Sequence, residues 1–123
     1  MKKEERTIQK IEDDVKSAGQ TFLGMRMGDL LCRIPELDDK ERKKDLIQEY
    51  YENQIGTYDK DFSGTRIRVN AAARIIRGDK VIYALSLIDG SDPRVLPEAV
   101  GRAKDTISKI ESCLLYTSPS PRD

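Results

Sequence analysis

The stretch Ser63–Gly90, SGTRIRVNAAARIIRGDKVIYALSLIDG, decides the fold. Apolar residues recur through it at helical spacing, with little of the alternation a half-buried strand requires. The pattern predicts a helix from Ser63 to Arg77, with Gly78 as a left-handed C-terminal stop. Asp79 then reads as the cap of a second, strongly apolar helix carrying Val81, Ile82, Ala84, Leu85, Leu87 and Ile88, closed by Gly90. VIYALSLI is also short and apolar enough for a buried strand, and periodicity alone does not separate the two.

The same period continues in both directions. Upstream, Asp38 with Glu41 three positions on forms a capping signature for a helix reaching about Asn53, with a stripe of Leu46, Ile47, Tyr50 and Tyr51. One tyrosine of that pair is expected in the core and the other partly exposed. A polar loop, Gly56 to Asp61, follows. Earlier still, Met25–Ile34 reads as a short helix burying Leu30, Leu31 and Ile34 and ended by Pro35. Glu4–Ser17 reads as a helix with Ile8, Ile11 and Val15 on one face and Gly19 just past its end. Downstream, Ser91-Asp92-Pro93 and Pro97 mark the entry to a last helix buried through Ala99, Val100, Ala103, Ile107 and Ile110. With no internal repeat and no dividing linker, residues 1–112 are expected to form one all-α domain, a compact bundle of five to six short helices.

The closing residues, CLLYTSPSPRD (Cys113–Asp123), resemble the translation of a common sequencing-library adaptor, one frame of which encodes them in order. Helical periodicity stops at Ile110, and two Ser-Pro pairs follow. The tail is therefore expected to be non-native and without order, pointing to a gene assembled from environmental reads. Setting Cys113 aside leaves Cys32, read as a buried structural thiol. A single thiol forms no internal disulfide, so a cytoplasmic setting is expected.

Composition narrows the chemistry. Lys plus Arg total 22, as do Asp plus Glu, so no global field draws the chain onto nucleic acid or an anionic membrane. The longest apolar runs are too short to span a bilayer, and no membrane association is expected. Histidine is absent, which removes the Ser-His-Asp and Cys-His arrangements and any His-based zinc site. No nucleophile is paired with a base, and no motif for a cofactor is present. An enzyme is not expected.

The segment richest in chemical possibility is Asp59–Arg77. Ser63, Gly64 and Thr65 stand at a helix start, where unpaired N–H groups and the dipole favour an anion. Arg66, Asn70, Arg74 and Arg77 follow at spacings that share one face, while Arg68 leaves from another side. Guanidinium groups take phosphate oxygens bidentately, and Asn70 suits a base edge or a sugar hydroxyl. Tyr58 and Phe62 are candidates to stack on a base. The same polar stripe is also what the solvated face of any amphipathic helix looks like. Arginine clustering favours the ligand reading, because the wet-looking third helix uses Lys40, Lys43 and Lys44 instead. Arg26, in Gly24-Met25-Arg26-Met27-Gly28, is a possible second arm of the site. Met25 and Met27 read as core, and the two glycines permit close backbone packing. The acidic pairs Asp13-Asp14, Asp38-Asp39 and Asp59/Asp61 match no calcium loop and read as solvated or capping carboxylates.

Size, helical character, the arginine-rich GTRIRVNAAARIIR segment and the read-assembled origin together resemble small helical phage-encoded anti-defence proteins. That resemblance implies sequestration, without chemistry, of a small anionic ligand such as a cyclic nucleotide or an ADP-ribose derivative. A homo-oligomer is expected, since so short a chain has little interior to spare for a pocket. Two other readings remain: a protein-protein interaction module that inhibits a host defence enzyme, and a nucleic-acid-binding domain, the latter disfavoured by the balanced charge.

Overall fold

A computed structural model describes residues 2–54 and 59–112 of the chain, with side chains from residue 8 onward. Among the described residues the fold is all-α, with helices α1 (Lys2–Ala18), α2 (Gln20–Leu31), α3 (Ile34–Asp38), α4 (Lys40–Glu52), α5 (Phe62–Arg77), α6 (Val81–Ser86) and α7 (Pro97–Glu111). The expected adaptor tail and Tyr58 lie outside those residues. No described helix is long and apolar enough to cross a membrane.

Helix α5 is the spine. Val69, Ala71, Ala72, Ala73, Ile75 and Ile76 are all buried, so three sides of the helix are covered and only one stripe is left to solvent. The three consecutive alanines add little bulk, which lets α1 and α4 lie close along it, with α2 and α6 touching it too. Across the bundle α2 packs on α7. There Gly24 meets the backbone of Ala99 so closely that a Cβ at position 24 would collide with its carbonyl, and a Cβ at position 28 would lie 3.3 Å from the Thr106 hydroxyl. Leu23, Met27 and Leu30 fill the interior between these layers, each fully buried.

Several boundaries differ from the sequence expectation, each for a local reason. Helix α2 begins at Gln20, not Met25. Gly19, with φ of 88°, both stops α1 and admits α2, and Phe22 and Leu23 extend the buried stripe backwards. Pro35 starts a helix instead of ending one: it sits in the first turn of α3, where its missing N–H costs nothing. Asp39, not Asp38, caps α4, its carboxylate accepting from the N–H groups of Glu41 at 3.0 Å and Arg42 at 3.2 Å. Asp61 does the same for α5 through the N–H of Gly64 at 3.3 Å, so the helix starts at Phe62, one residue before the expected start.

The end of α5 is closed by Asp79, not by Gly78. Gly78 keeps a right-handed φ of −81°, whereas Asp79 takes +58°. Lys80 N–H reaches back to the Ile75 carbonyl at 3.2 Å and Asp79 N–H to that of Ile76 at 3.0 Å, a Schellman closure. An aspartate can occupy this region because its short polar side chain tolerates it. Asp79 is consequently unable to cap α6, whose N-cap is Lys80 without a side-chain bond. VIYALSLI forms the helix α6 rather than a strand, with Leu87 and Ile88 following it and Ile82 exposed. The exposure of Ile8, expected on the buried face, reflects its place in the first turns of α1. Cys32 is likewise exposed: Leu30 and Leu31 take the inward positions, and the cysteine falls at the C-cap as the chain turns.

Candidate functional site

Two helix faces meet in a groove of about 330 Å³ between α4 and α5, lined by Lys40, Lys43, Lys44, Ile47, Phe62, Arg66 and Asn70. Positions 40, 43, 44 and 47 are i, i+3, i+4 and i+7, one face of α4. Positions 62, 66 and 70 are successive i+4 steps on α5. Two amphipathic helices packed side by side therefore aim these residues at each other. Ile47 is buried and forms the apolar floor; Lys43, Phe62 and Asn70 are half-buried; Lys40, Lys44 and Arg66 are exposed.

The placement of Phe62 is built in. Its ring meets Tyr51 edge-on, with centroids 6.5 Å apart and planes at 70°, and the Tyr51 hydroxyl donates to the Lys60 carbonyl at 3.1 Å. Gln54 bonds both backbone groups of Asp59, donating to its carbonyl at 3.0 Å and accepting its N–H. The end of α4 is thus tied to the start of α5, so the two sides of the groove are held in register.

Charge sets the groove apart. Among the described residues, Lys40, Lys43, Lys44 and Arg66 form no ion pair or hydrogen bond through their side-chain cations. Arg26, Arg33, Arg68, Arg74, Arg77, Arg94 and Arg102 are each engaged by a carboxylate or a backbone carbonyl, whereas Arg42, Lys10, Lys16, Lys60, Lys80 and Lys104 are unpaired among the described residues but lie outside the groove lining. Burial pushes the Lys43 ammonium below its ordinary pKa, and Arg77, Arg66 and Arg74 push it further down.

The sequence-level candidates divide accordingly. Arg66, Asn70 and Phe62 come together in the groove. Arg74 lies on the same face, but its Nε donates to the buried Asp14 carboxylate at 2.9 Å; Arg77 lies 3.8 Å from Asp38. Both contribute field and are already partly neutralised. Arg68 departs to another side as expected, donating to Asp59 and, at 2.7 Å, to the Ala18 carbonyl.

The helix start does not present an open anion site. Asp61 occupies the Gly64 N–H, and the Asp59 carboxylate takes the hydroxyl of buried Thr65 at 2.9 Å. A Cβ on Gly64 would lie 2.9 Å from that same carboxyl, so the glycine accommodates Asp59 and not a ligand. Ser63 is exposed and stands outside the groove lining. Arg26 is also elsewhere, stacked over the Tyr50 ring with its guanidinium carbon 4.3 Å from the centroid and donating to the Asn53 carbonyl.

The contrast between arginines on α5 and lysines on α4 therefore has a structural cause. Arg68, Arg74 and Arg77 serve the chain's own carboxylates, and Lys40, Lys43 and Lys44, read as solvated, face Arg66. The signal that locates them is the i, i+3, i+4, i+7 row Lys40-Lys43-Lys44-Ile47, a basic stripe ending on a buried residue. Comparison with protein-family models, with curated proteins and with solved structures finds no match for the chain.

Proposed function

We propose that the chain is a non-enzymatic binding protein for a small phosphate-bearing ligand of the nucleotide type, taken up in the α4–α5 groove. The observation that carries this reading is the convergence of Lys40, Lys43, Lys44 and Arg66, none engaged by a carboxylate, around Ile47 and Phe62. Like charges held together without counter-charges cost stability, and a groove that keeps them suits an anion that arrives from outside. The apolar floor and the half-buried Phe62 suit a flat organic group beside that anion, and Asn70 can donate to or accept from it.

Sequestration of a nucleotide signal, as in phage anti-defence, is the biological form this binding takes in the proposal. Homo-oligomerisation belongs to it as well: Lys40, Lys44 and Arg66 are exposed, so one chain covers one side of a ligand and a second copy would cover the other.

Calorimetry with cyclic nucleotides, linear nucleotides and ADP-ribose tests the reading. Binding is expected, weakened about tenfold or more in Arg66→Ala and in Lys43→Met, each loss corresponding to one charge-assisted contact. Arg102→Ala, on α7, is expected to bind as the parent chain does. Absence of binding across the panel, or equal affinity in all three variants, would overturn it.

A further inference from the structure

We infer that the α4–α5 groove takes a ligand with two or more linked phosphates joined to a flat apolar group, in preference to a lone phosphate monoester. The inference rests on the reading of the groove as a phosphate site and specifies what that site selects.

The first ground is charge. A phosphate monoester carries about −1.5 to −2 near neutral pH. Four cations without counter-charges line the groove, so one such group neutralises roughly half of them. The remaining positive charge is raised further by Arg74 and Arg77, whose pairing with Asp14 and Asp38 leaves their side chains about half exposed, at 53% and 57%. Lys43 registers the excess: three arginines disfavour its charged form. A second, linked phosphate relieves the half of that repulsion which the first leaves.

The second ground is extent. From Lys40 to Lys44 the helix rises about 6 Å, and from Phe62 to Asn70 about 12 Å, at 1.5 Å per residue. Lys40 and Lys44 stand one turn apart on α4, opposite Arg66 on α5, so a linked chain of phosphates can meet cations on more than one turn of the groove.

The third ground is the apolar part. Ile47 is 3% exposed and Phe62 packs against the core, yet both contribute to the groove wall. The Tyr51 ring packs edge-on against Phe62, so the apolar wall is in place before any ligand arrives. A bare inorganic polyanion would leave this surface wet, whereas a base or similar ring would cover it.

Calorimetry on the full chain at fixed ionic strength separates these grounds, using orthophosphate, pyrophosphate and tripolyphosphate beside AMP, ADP and ATP. Affinity is expected to rise about tenfold or more from AMP to ADP, the size of one added charge-assisted contact. Lys43→Gln and Lys44→Gln are expected to bring ADP towards the AMP value while their circular-dichroism melting stays cooperative. ATP is expected to bind more tightly than tripolyphosphate, and Phe62→Leu to narrow that difference. Equal affinity for AMP and ADP, both dependent on Arg66, would overturn the inference and leave the phosphate site standing. Tripolyphosphate binding as tightly as ATP would overturn the apolar half. No binding by any of the six would overturn the inference together with the reading beneath it.

Discussion

Lys43 shows most clearly how a residue can be wrong for the fold and right for a ligand. Its charged form is disfavoured first by burial and then by Arg77, Arg66 and Arg74. A lysine whose pKa is lowered by folding carries its penalty throughout the pH range below that value. The penalty fades as pH rises towards the ordinary 10.5. Lys43→Met, which keeps the stem and removes the charge, is therefore expected to raise stability at pH 7. The gain should be about 0.5 kcal/mol or less for a charge so near solvent. It should weaken phosphate binding at the same time. Urea unfolding at pH 7 and near pH 10 checks the first half: the advantage of the variant should shrink at the higher pH, and a loss of stability at pH 7 would refute it.

Tyr50 works in the opposite direction. It is 1% exposed and its hydroxyl donates to Asp29, beneath the Arg26 and Arg33 guanidiniums. Burial, followed by the bond to Asp29, raises its pKa above the ordinary 10.0. A tyrosine raised in this way gives its full stabilisation below pH 10 and loses it as pH climbs beyond that value, because the unfolded chain ionises first. Tyr50→Phe is expected to cost about 1–2 kcal/mol at neutral pH and to flatten the fall in stability above pH 10. Melting temperatures across pH 7 to 11 measure both effects, and an unchanged alkaline slope would contradict the account.

At the scale of elements, the close approach of α2 and α7 depends on Gly24. A methyl group there has no room, since what it meets is Ala99 backbone and not the end of a flexible side chain. Gly24→Ala, although favourable to helix propensity, should destabilise the chain by about 1–3 kcal/mol through forced separation of the helices. Thermal unfolding reads this directly, and a neutral or stabilising result would show that the helices have slack. This contact was half legible in the sequence. Gly24 and Gly28 announce that something comes near, but the identity of the neighbour depends on where α7 lands.

Helix existence was legible almost throughout, because Val69, Ile75 and Ile76 or Leu46, Ile47 and Tyr50 recur at the helical period. Boundaries were less so. Pro35 opens a helix where Pro commonly follows one, and the left-handed residue after α5 is Asp79 although a glycine stands beside it. In both places the deciding term is the path of the chain between packed helices, which residue preferences alone do not contain.

The whole molecule explains why the candidate site was only partly visible. Its charges sum to zero, and pairing consumes most of the arginines whose side chains are described: Arg33 alone engages Asp29, Glu36 and Glu49, and Arg68 holds Asp59. An arginine-rich face in sequence is therefore poor evidence of a free one. What distinguishes the groove is that four unpaired cations, Lys40, Lys43, Lys44 and Arg66, line one concavity beside Ile47 and Phe62, and that set spans two helices. Arg66, Asn70 and Phe62 were readable from α5. Lys40, Lys43 and Lys44 were not, because their role follows from α4 lying beside α5. Arg26 and the Ser63-Gly64-Thr65 turn fell away for the same reason in reverse: Tyr50, Asp59 and Asp61 already occupy them.

Amide chemical-shift mapping of the full chain titrated with ADP tests the central claim most directly. Saturable perturbations are expected to concentrate on residues 40–47 of α4 and 62–70 of α5, with the α2–α7 face unmoved. Perturbations centred on α7 or around Arg26, or none at millimolar ADP, would contradict a phosphate site between α4 and α5.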